Sequence, residues 1–433
     1  MPVSGDEWHL LIVLCQIESD TFNLTYRPCL VYNFSMFKRT LSRKLINLAR
    51  KFSVVSITGP RQSGKTTLAK MLFKKHAYVS LEEPHEREFA IADPKGFLRR
   101  FSGGVILDEI QKAPIILSYI QGIVDSNGTP GRFILTGSQQ FHLMEKVSQT
   151  LAGRTAIVQL LPLSLDELLG RTESDPWKIE ILPSAIKKPA FSLEKILYSG
   201  FYPRIHDRGL EPHDWLSAYY RTYVERDVRE VANIGSLETF QRFVRLCAGR
   251  TGQLLNLSSI AADCGISHTT ARHWISILQA GFIIHLLPPH HTNFSKRIIK
   301  SPKLYFLDTG LLCYLLRIRE PADIADHAMK GAIFETFILS EFYKSFAHRG
   351  EAPPLYFWRD RTGHEVDVVV DTGKKLIPVE VKSTETIDNS LFDGLRYYTT
   401  LGTPASKTGV LIHGGESLYR RENFTVRPWF HCS

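Results

Sequence analysis

From Phe52 onward the apolar residues fall in short unbroken runs separated by polar, glycine-bearing stretches. Val54 to Thr58 reads as a buried strand and Thr66 to Phe73 as the helix that follows it. Tyr78 to Leu81, Gly104 to Leu107 and Arg132 to Leu135 read as further strands, each bounded by glycine or polar turns. Strands alternating with helices predict an α/β fold with a parallel sheet covered by helices on both faces. Upstream, Leu41, Leu45, Ile46 and Leu48 mark an amphipathic helix. The first 35 residues keep no period beyond one turn, so 1–35 are expected to be an extension outside the core. Translation beginning at Met36, before Phe37-Lys38-Arg39, is the favoured alternative to Met1.

The later pattern divides in three. A polar, proline-bearing stretch from Arg171 to Pro189 reads as a surface connection. Residues 190–248 are expected to be helical, with Tyr219, Tyr220, Tyr223 and Val224 on one face. Residues 249–310 form a compact unit, and 325–430 start with a helix and continue in strands. The first domain is expected over 36–170.

Composition narrows the class. The chain has 433 residues, 43% hydrophobic and 22% charged, which excludes long disorder and collagen-like repeats. Its cysteines (Cys15, Cys29, Cys247, Cys264, Cys313, Cys432) show neither Cys-x-x-Cys nor zinc spacing, so reduced thiols are expected. The apolar run Leu10 to Cys15 is far short of a membrane span, and Asp6 and Glu7 precede it where a signal peptide is basic. A cytoplasmic protein is the expectation.

Gly59-Pro60-Arg61-Gln62-Ser63-Gly64-Lys65-Thr66 matches G-x-x-x-x-G-K-[ST] between a strand and a helix. Such a loop curls its backbone N–H groups around phosphate oxygens, and a side chain at Gly64 would crowd that approach. The following helix, opening at Lys65, Thr66 and Thr67, adds its positive N-terminus. Lys65 would reach the β- and γ-phosphates and Thr66 a Mg²⁺ ion. The apolar strand Val105-Ile106-Leu107 ends in Asp108-Glu109, 43 residues beyond Lys65. Asp108 would hold the Mg²⁺ water shell and Glu109 would polarise the attacking water. After Phe133-Ile134-Leu135, Thr136 or Ser138 would sense the γ-phosphate, with helix capping as the other reading. Arg154 is a candidate arginine finger.

These motifs, with Leu151-Ala152-Gly153-Arg154, Pro162-Leu163-Ser164, Gly200-Phe201-Tyr202-Pro203 and Tyr223-Val224-Glu225-Arg226-Asp227-Val228, resemble the prokaryotic AAA-type P-loop ATPases that carry a C-terminal uncharacterised domain. The resemblance covers roughly residues 36–430. It implies an ATPase core, a winged-helix segment and a nuclease-like tail.

Most of the chain's net charge of +9 sits in the middle unit, where Gln241 to Lys303 carry eight Lys or Arg (Arg242, Arg245, Arg250, Arg272, Lys296, Arg297, Lys300, Lys303) against Asp263. Leu257 to Cys264, a turn at Gly265, and His268 to Ala280 have helix-turn-helix layout. Thr269, Thr270, Arg272 and His273 stand where base edges would be met. Ile283 to Leu287 and Lys303 to Leu307 would form a two-stranded wing with Lys296, Arg297 and Lys300 at its tip and His290 and His291 on its surface. DNA contact and internal packing are the two readings of this unit.

Val366 to Asp371 and Leu376 to Lys382 read as a hairpin joined by Thr372-Gly373-Lys374-Lys375. Pairing 371 with 376 puts Asp367 opposite Glu380, with Cβ atoms about 5 Å apart, and Lys382 on the same face. Two facing carboxylates are unfavourable without a cation, so Asp367 and Glu380, with the Val381 carbonyl, are candidate Mg²⁺ ligands. Lys382 would orient or deprotonate a water. Asp-x₁₂-Glu-x-Lys is the pattern of restriction-endonuclease-like (PD-(D/E)xK) nucleases, and Glu335 fits the acidic position many of them place on the preceding helix. A plain Glu380–Lys382 salt bridge is the alternative.

The expectation is a Mg²⁺-dependent ATPase that acts on DNA through a winged helix and a nuclease-like domain. The competing one is a nucleotide-dependent switch whose C-terminal domain docks without cleaving. Expected partners are ATP and DNA, with a homo-oligomer left open and no membrane; expected cofactors are ATP and Mg²⁺.

Overall fold

Five strands carry the first part of the chain: β1 (Val54–Thr58), β2 (Ala77–Ser80), β3 (Val105–Asp108), β4 (Phe133–Gly137) and β5 (Thr155–Gln159). They form one sheet in the order β2-β3-β4-β1-β5, with every neighbouring pair parallel. All five residues of β1 are buried because the sheet is covered on both sides. Val55 and Ile57 pack with Leu41, Leu45, Leu68 and Val158 on one face. Val54, Leu107, Phe133 and Leu135 pack with Phe97, Leu117 and Ile120 on the other. Strand β5 has only a three-residue apolar run, Ala156-Ile157-Val158, between Thr155 and Gln159. Its residues alternate between buried and half-buried, which is why the hydrophobic pattern does not reveal it.

In this computed structural model the described residues are 37–138, 150–172, 174–184, 187–224, 236–290, 301–360, 362–401 and 407–432, without the side chains of 223 and 224. The proposed extension 1–35 with Cys15 and Cys29, the start Met36, the Glu225 to Val228 motif, and His291, Lys296, Arg297 and Lys300 lie outside them. Residues 35–433 pack as one compact unit. Among the described residues no helix is long and apolar enough to cross a membrane, and Cys247, Cys264, Cys313 and Cys432 are buried free thiols.

In the middle of the chain, helices Leu257–Cys264 and His268–Ala280 meet at Gly265, whose φ of 66° is the left-handed conformation glycine adopts freely. Ser267 caps the second helix, its hydroxyl accepting from the Thr270 N–H at 3.0 Å. Ala271, Trp274, Ile275 and Leu278 face inward, with Trp274 edge-on to Phe240 and Phe243. His268, Thr269, Arg272 and His273 are exposed, as the layout predicts. Strands β6 (Ile284–Leu287) and β7 (Lys303–Phe306) pair antiparallel behind them.

Three residues read from sequence as basic or polar surface stand elsewhere. Arg250 is paired with Asp263 at 2.6 Å. His290 donates its backbone N–H to Phe357 at 2.7 Å and sets its ring edge-on to Tyr356, so it joins the neighbouring sheet. Lys303 is only 3% exposed, because β7 turns it inward against carboxylates.

The last six strands, β8 (Leu355–Arg359), β9 (Glu365–Asp371), β10 (Leu376–Lys382), β11 (Gly409–His413), β12 (Tyr419–Arg421) and β13 (Phe424–Pro428), make a mixed sheet in the order β12-β13-β11-β10-β9-β8. The long helix Lys330–Ala347 lays Phe334, Phe337 and Ile338 on one face, against Val368, Val370, Val379 and Val381. His285 of β6 faces Tyr343 of that helix, with ring centroids 4.8 Å apart, and burial lowers the imidazole pKa to about 4. A histidine held neutral in the fold gives up stability as pH falls from about 6.5 towards that value, since the unfolded chain binds the proton first. His285→Leu is therefore expected to lose less melting temperature than the wild type between pH 6.5 and 4.5.

Candidate functional site

The loop Gly59–Gly64 leaves the carboxyl end of β1 and runs into helix Lys65–Leu72. A Cβ on Gly59 would lie 2.1 Å from the Leu160 carbonyl oxygen, so glycine there lets the loop pass the chain leaving β5. Gly64 has φ 94°, in the left-handed region, whereas a Cβ there would come no closer to the protein than 3.6 Å from Arg39. Glycine at 64 is thus fixed by backbone conformation, not by crowding within the protein. Gln62 also has positive φ. Alternating backbone hands of this kind turn successive N–H groups inward.

Lys65 curls over the loop, donating to the Gly59 and Pro60 carbonyls at 3.0 and 2.8 Å. Arg61 lies 3.9 Å from Glu82, and Thr67 is exposed on the first helical turn. Strand order explains the rest of the site, for β4 lies between β1 and β3 and brings their carboxyl ends together. Thr66 Oγ1 lies 3.0 Å from both Asp108 oxygens, and Thr136 donates to Asp108 from β4. Tyr78 of β2 adds a third hydroxyl at 2.9 Å, and burial together with the Asp108 charge pushes its phenol up to about 12. Thr136 therefore orients Asp108, and Ser138 is the γ-phosphate-sensing candidate that touches Glu109, at 3.2 Å. Glu109 has φ 54°, uncommon for a residue with a side chain, and it also accepts from Gln111.

Arg154 does not join this group. It immediately precedes Thr155, which pairs with Val54 at the start of β1, whereas the loop leaves the far end after Thr58. At about 3.3 Å per residue the two levels are roughly 16 Å apart, beyond an arginine's reach. Its guanidinium is paired with Asp125. A finger role within its own chain is therefore excluded by the direction of β5.

Arg39, 6% exposed, is a residue the motifs do not reveal. It donates to the Ser63 carbonyl of the phosphate loop at 2.8 Å, to the Leu161 carbonyl at 2.6 Å and to Glu167 at 2.9 Å. Glu167 also accepts from the Thr40 and Ser164 N–H groups and lies 3.4 Å from His348, at the end of the long helix. Burial opposes the Glu167 charge, but Arg39, His348 and these N–H groups outweigh it and hold the carboxyl below its ordinary range.

The second cluster lies at the mouth of the C-terminal sheet. Strands β9 and β10 pair in the expected register, Leu376 with Asp371 through Val379 with Val368. Pairing stops there, and Asp367 takes over by accepting the Val381 N–H at 2.9 Å. A strand residue's N–H and C=O point to the same side, so the Val381 carbonyl faces this mouth too. Lys382 lies 2.5 Å from Glu380 and 3.4 Å from Asp367. Glu335 comes over from the long helix, but it meets Lys303 at 3.3 Å and the Tyr305 hydroxyl. Glu365, outside the expected set, pairs with Lys303 and Arg359.

Four carboxylates therefore share three basic side chains, where the sequence suggests two carboxylates and Lys382 with either a cation or a plain Glu380–Lys382 salt bridge. Among the described residues no three His, Cys, Asp or Glu side chains are arranged to hold a metal ion. Two observations still fit a cation. The Glu380 Oε2 atom is buried and has no hydrogen-bond partner. Burial first, and then the Asp367 charge, raise the Glu380 pKa to about 8, so the carboxyl pair holds a proton that a divalent ion would replace.

A five-stranded parallel sheet bearing this loop and strand end defines a P-loop NTPase domain. Residues 51–169 match the family model of an AAA domain, so the domain is of the AAA-type P-loop ATPase class. Residues 190–322 and 330–431 match two domains of unknown function, DUF8612 and DUF4143. Among curated proteins, the chain is similar to uncharacterized proteins of Mycobacterium tuberculosis and Mycobacterium bovis. Each is 28% identical over 351 residues, covering 81% of this chain and 74% of the relative. Among solved structures, a Walker-type ATPase of Pyrococcus abyssi aligns over 65% of this chain and 96% of its own, with 14% identity and a TM-score of 0.42.

Proposed function

We propose that the chain hydrolyses ATP at the Lys65–Thr66–Asp108–Glu109 corner and uses the nucleotide cycle to act on DNA through its middle and C-terminal parts. The observation that carries the first half is the Asp108 carboxylate held by Thr66, Thr136 and Tyr78 beside the phosphate loop. Hydroxyl and carboxylate oxygens suit Mg²⁺. Thr66 and Asp108 would hold the ion, and the loop Gly59-Pro60-Arg61-Gln62-Ser63-Gly64 would cradle the phosphates with its N–H groups, Pro60 shaping the turn without one. Bound Mg²⁺ supplies charge neutralisation on the phosphate oxygens. Lys65 leaves the loop carbonyls for the phosphates, Glu109 takes the proton of the attacking water, and Ser138 and Gln111 orient that carboxylate.

For the C-terminal part we infer a nuclease-like site in which Asp367, Glu380 and Glu335 hold a divalent ion and Lys382 orients the water. The orphaned Glu380 oxygen supports this reading. Mg²⁺-dependent cleavage of plasmid DNA is expected from the purified chain, and its loss in Lys382→Ala with ATP hydrolysis intact. Cleavage that survives in Lys382→Ala would remove the site from the mechanism. The charge compensation by Lys303, Arg359 and Lys382 favours the second reading, a docking domain that does not cleave.

The exposed Arg272 and His273 support DNA contact by the helix pair, read here as the core of a winged helix. If Arg272 meets a phosphate, Arg272→Ala should lower the slope of log K against log salt by about 0.9. An unchanged slope in fluorescence-anisotropy titrations would assign this face to protein contacts.

A further inference from the structure

Strand β7 belongs to the middle part of the chain, yet two of its side chains enter the C-terminal carboxylate cluster. Lys303 and Tyr305 are two residues apart and therefore project to the same face of the strand. Tyr305 donates to Glu335, and the Lys303 ammonium is 3.3 Å from the same oxygen and paired with Glu365. Lys303 is only 3% exposed, and both partners of its ammonium are carboxylates, the arrangement that a buried cation requires. Of the side chains read as metal ligands it takes Glu335, while the Glu380 Oε2 atom stays buried and unpartnered.

We propose that Lys303 is an internal cation that competes with divalent ions for the carboxylates of the C-terminal site and weakens their binding while β7 is in place. The proposal rests on the reading of Asp367, Glu335 and Glu380 as metal ligands. Its physical basis is direct. A divalent ion among the same carboxylates would stand a few ångströms from the ammonium, where like charges repel strongly even at the effective dielectric of a protein. An ammonium also takes Glu335 and Glu365 as hydrogen-bond acceptors, so a divalent ion must displace it to use those oxygens. The arrangement accounts for a cluster of acids in which, among the described residues, no three are arranged around a metal position. Strand β7 is in turn held by the middle part, through Gly252 N–H to the Leu304 carbonyl at 2.7 Å and Leu304 N–H to the Gln253 carbonyl at 3.0 Å. Whatever displaces that segment displaces the ammonium.

The test is Mn²⁺ binding by the full chain without nucleotide, followed by electron paramagnetic resonance of the free ion. Lys303→Met should bind Mn²⁺ at least about tenfold more tightly than the wild type, and adding Glu380→Gln should abolish the gain. Lys303→Arg, which keeps the charge, should bind as weakly as the wild type. Where Lys303→Met fails to fold, Lys303→Met with Glu365→Gln removes one charge of each sign, spares the metal ligands and should still bind more tightly than the wild type. Glu380-dependent Mn²⁺ binding by the wild type that no Lys303 variant tightens would overturn the role of Lys303 and leave the metal site standing. No Glu380-dependent binding in any folded variant would overturn both.

Discussion

Replacing Glu109 by Gln is expected to lower kcat for ATP hydrolysis at least about 100-fold while nucleotide affinity stays within a few-fold of the wild type. An amide is nearly isosteric with the carboxylate and keeps one acceptor oxygen, so the contacts with Gln111 and Ser138 have a replacement. What it cannot do is take a proton from water. Lys65→Ala should behave differently and lose binding itself, because the ammonium is the loop's own positive charge. Equilibrium titration with a fluorescent ATP analogue, together with steady-state phosphate release, separates the two. Turnover at the wild-type rate in Glu109→Gln would move water activation to another group.

The second large effect is on stability. Arg39→Ala should destabilise the chain by about 3–5 kcal/mol, the usual result of leaving one member of a buried ion pair without its partner. Glu167 is as buried as Arg39 and would keep only its N–H donors and His348. The double change Arg39→Met with Glu167→Gln should recover much of that loss, because no buried charge is then stranded. Urea unfolding of the three proteins measures both quantities, and a loss below about 1 kcal/mol in Arg39→Ala would mean that water reaches the site. Because Arg39 also holds the Ser63 carbonyl, weaker nucleotide binding should accompany the lost stability.

Local chemistry was legible in the sequence, and distant pairing was not. The phosphate loop, the Asp108-Glu109 strand end and the four-residue turn that sets the β9–β10 register all lie within a few residues of their own signals. Strand and turn rules therefore reach them. Arg39 has partners 24, 122, 128 and 309 residues away, and no spacing rule connects them. Lys303 was counted with the basic surface because a lysine opening a short strand ordinarily points to water. The burial that reverses this comes from a helix and a sheet formed later in the chain. The distance of Arg154 from its own loop was illegible for a related reason. Its motif gives no strand direction, and direction alone sets it at the edge of the sheet away from the loop.

The bond from Leu165 N–H to Glu341, 2.7 Å long, has a consequence for synthesis on the ribosome. The two residues are 176 apart. At about 5–20 residues per second, the last helix of the ATPase domain is made roughly 10–35 s before the carboxylate that caps it. Arg39 and Glu167 can close their own pair as soon as both have emerged, so the nucleotide loop gains its support early. The Leu165 end stays open to water, or to a chaperone, until the long helix arrives. The C-terminal third of the chain thus completes the fold of the N-terminal third, and a ribosome stalled between residues 170 and 340 would hold an ATPase domain one cap short.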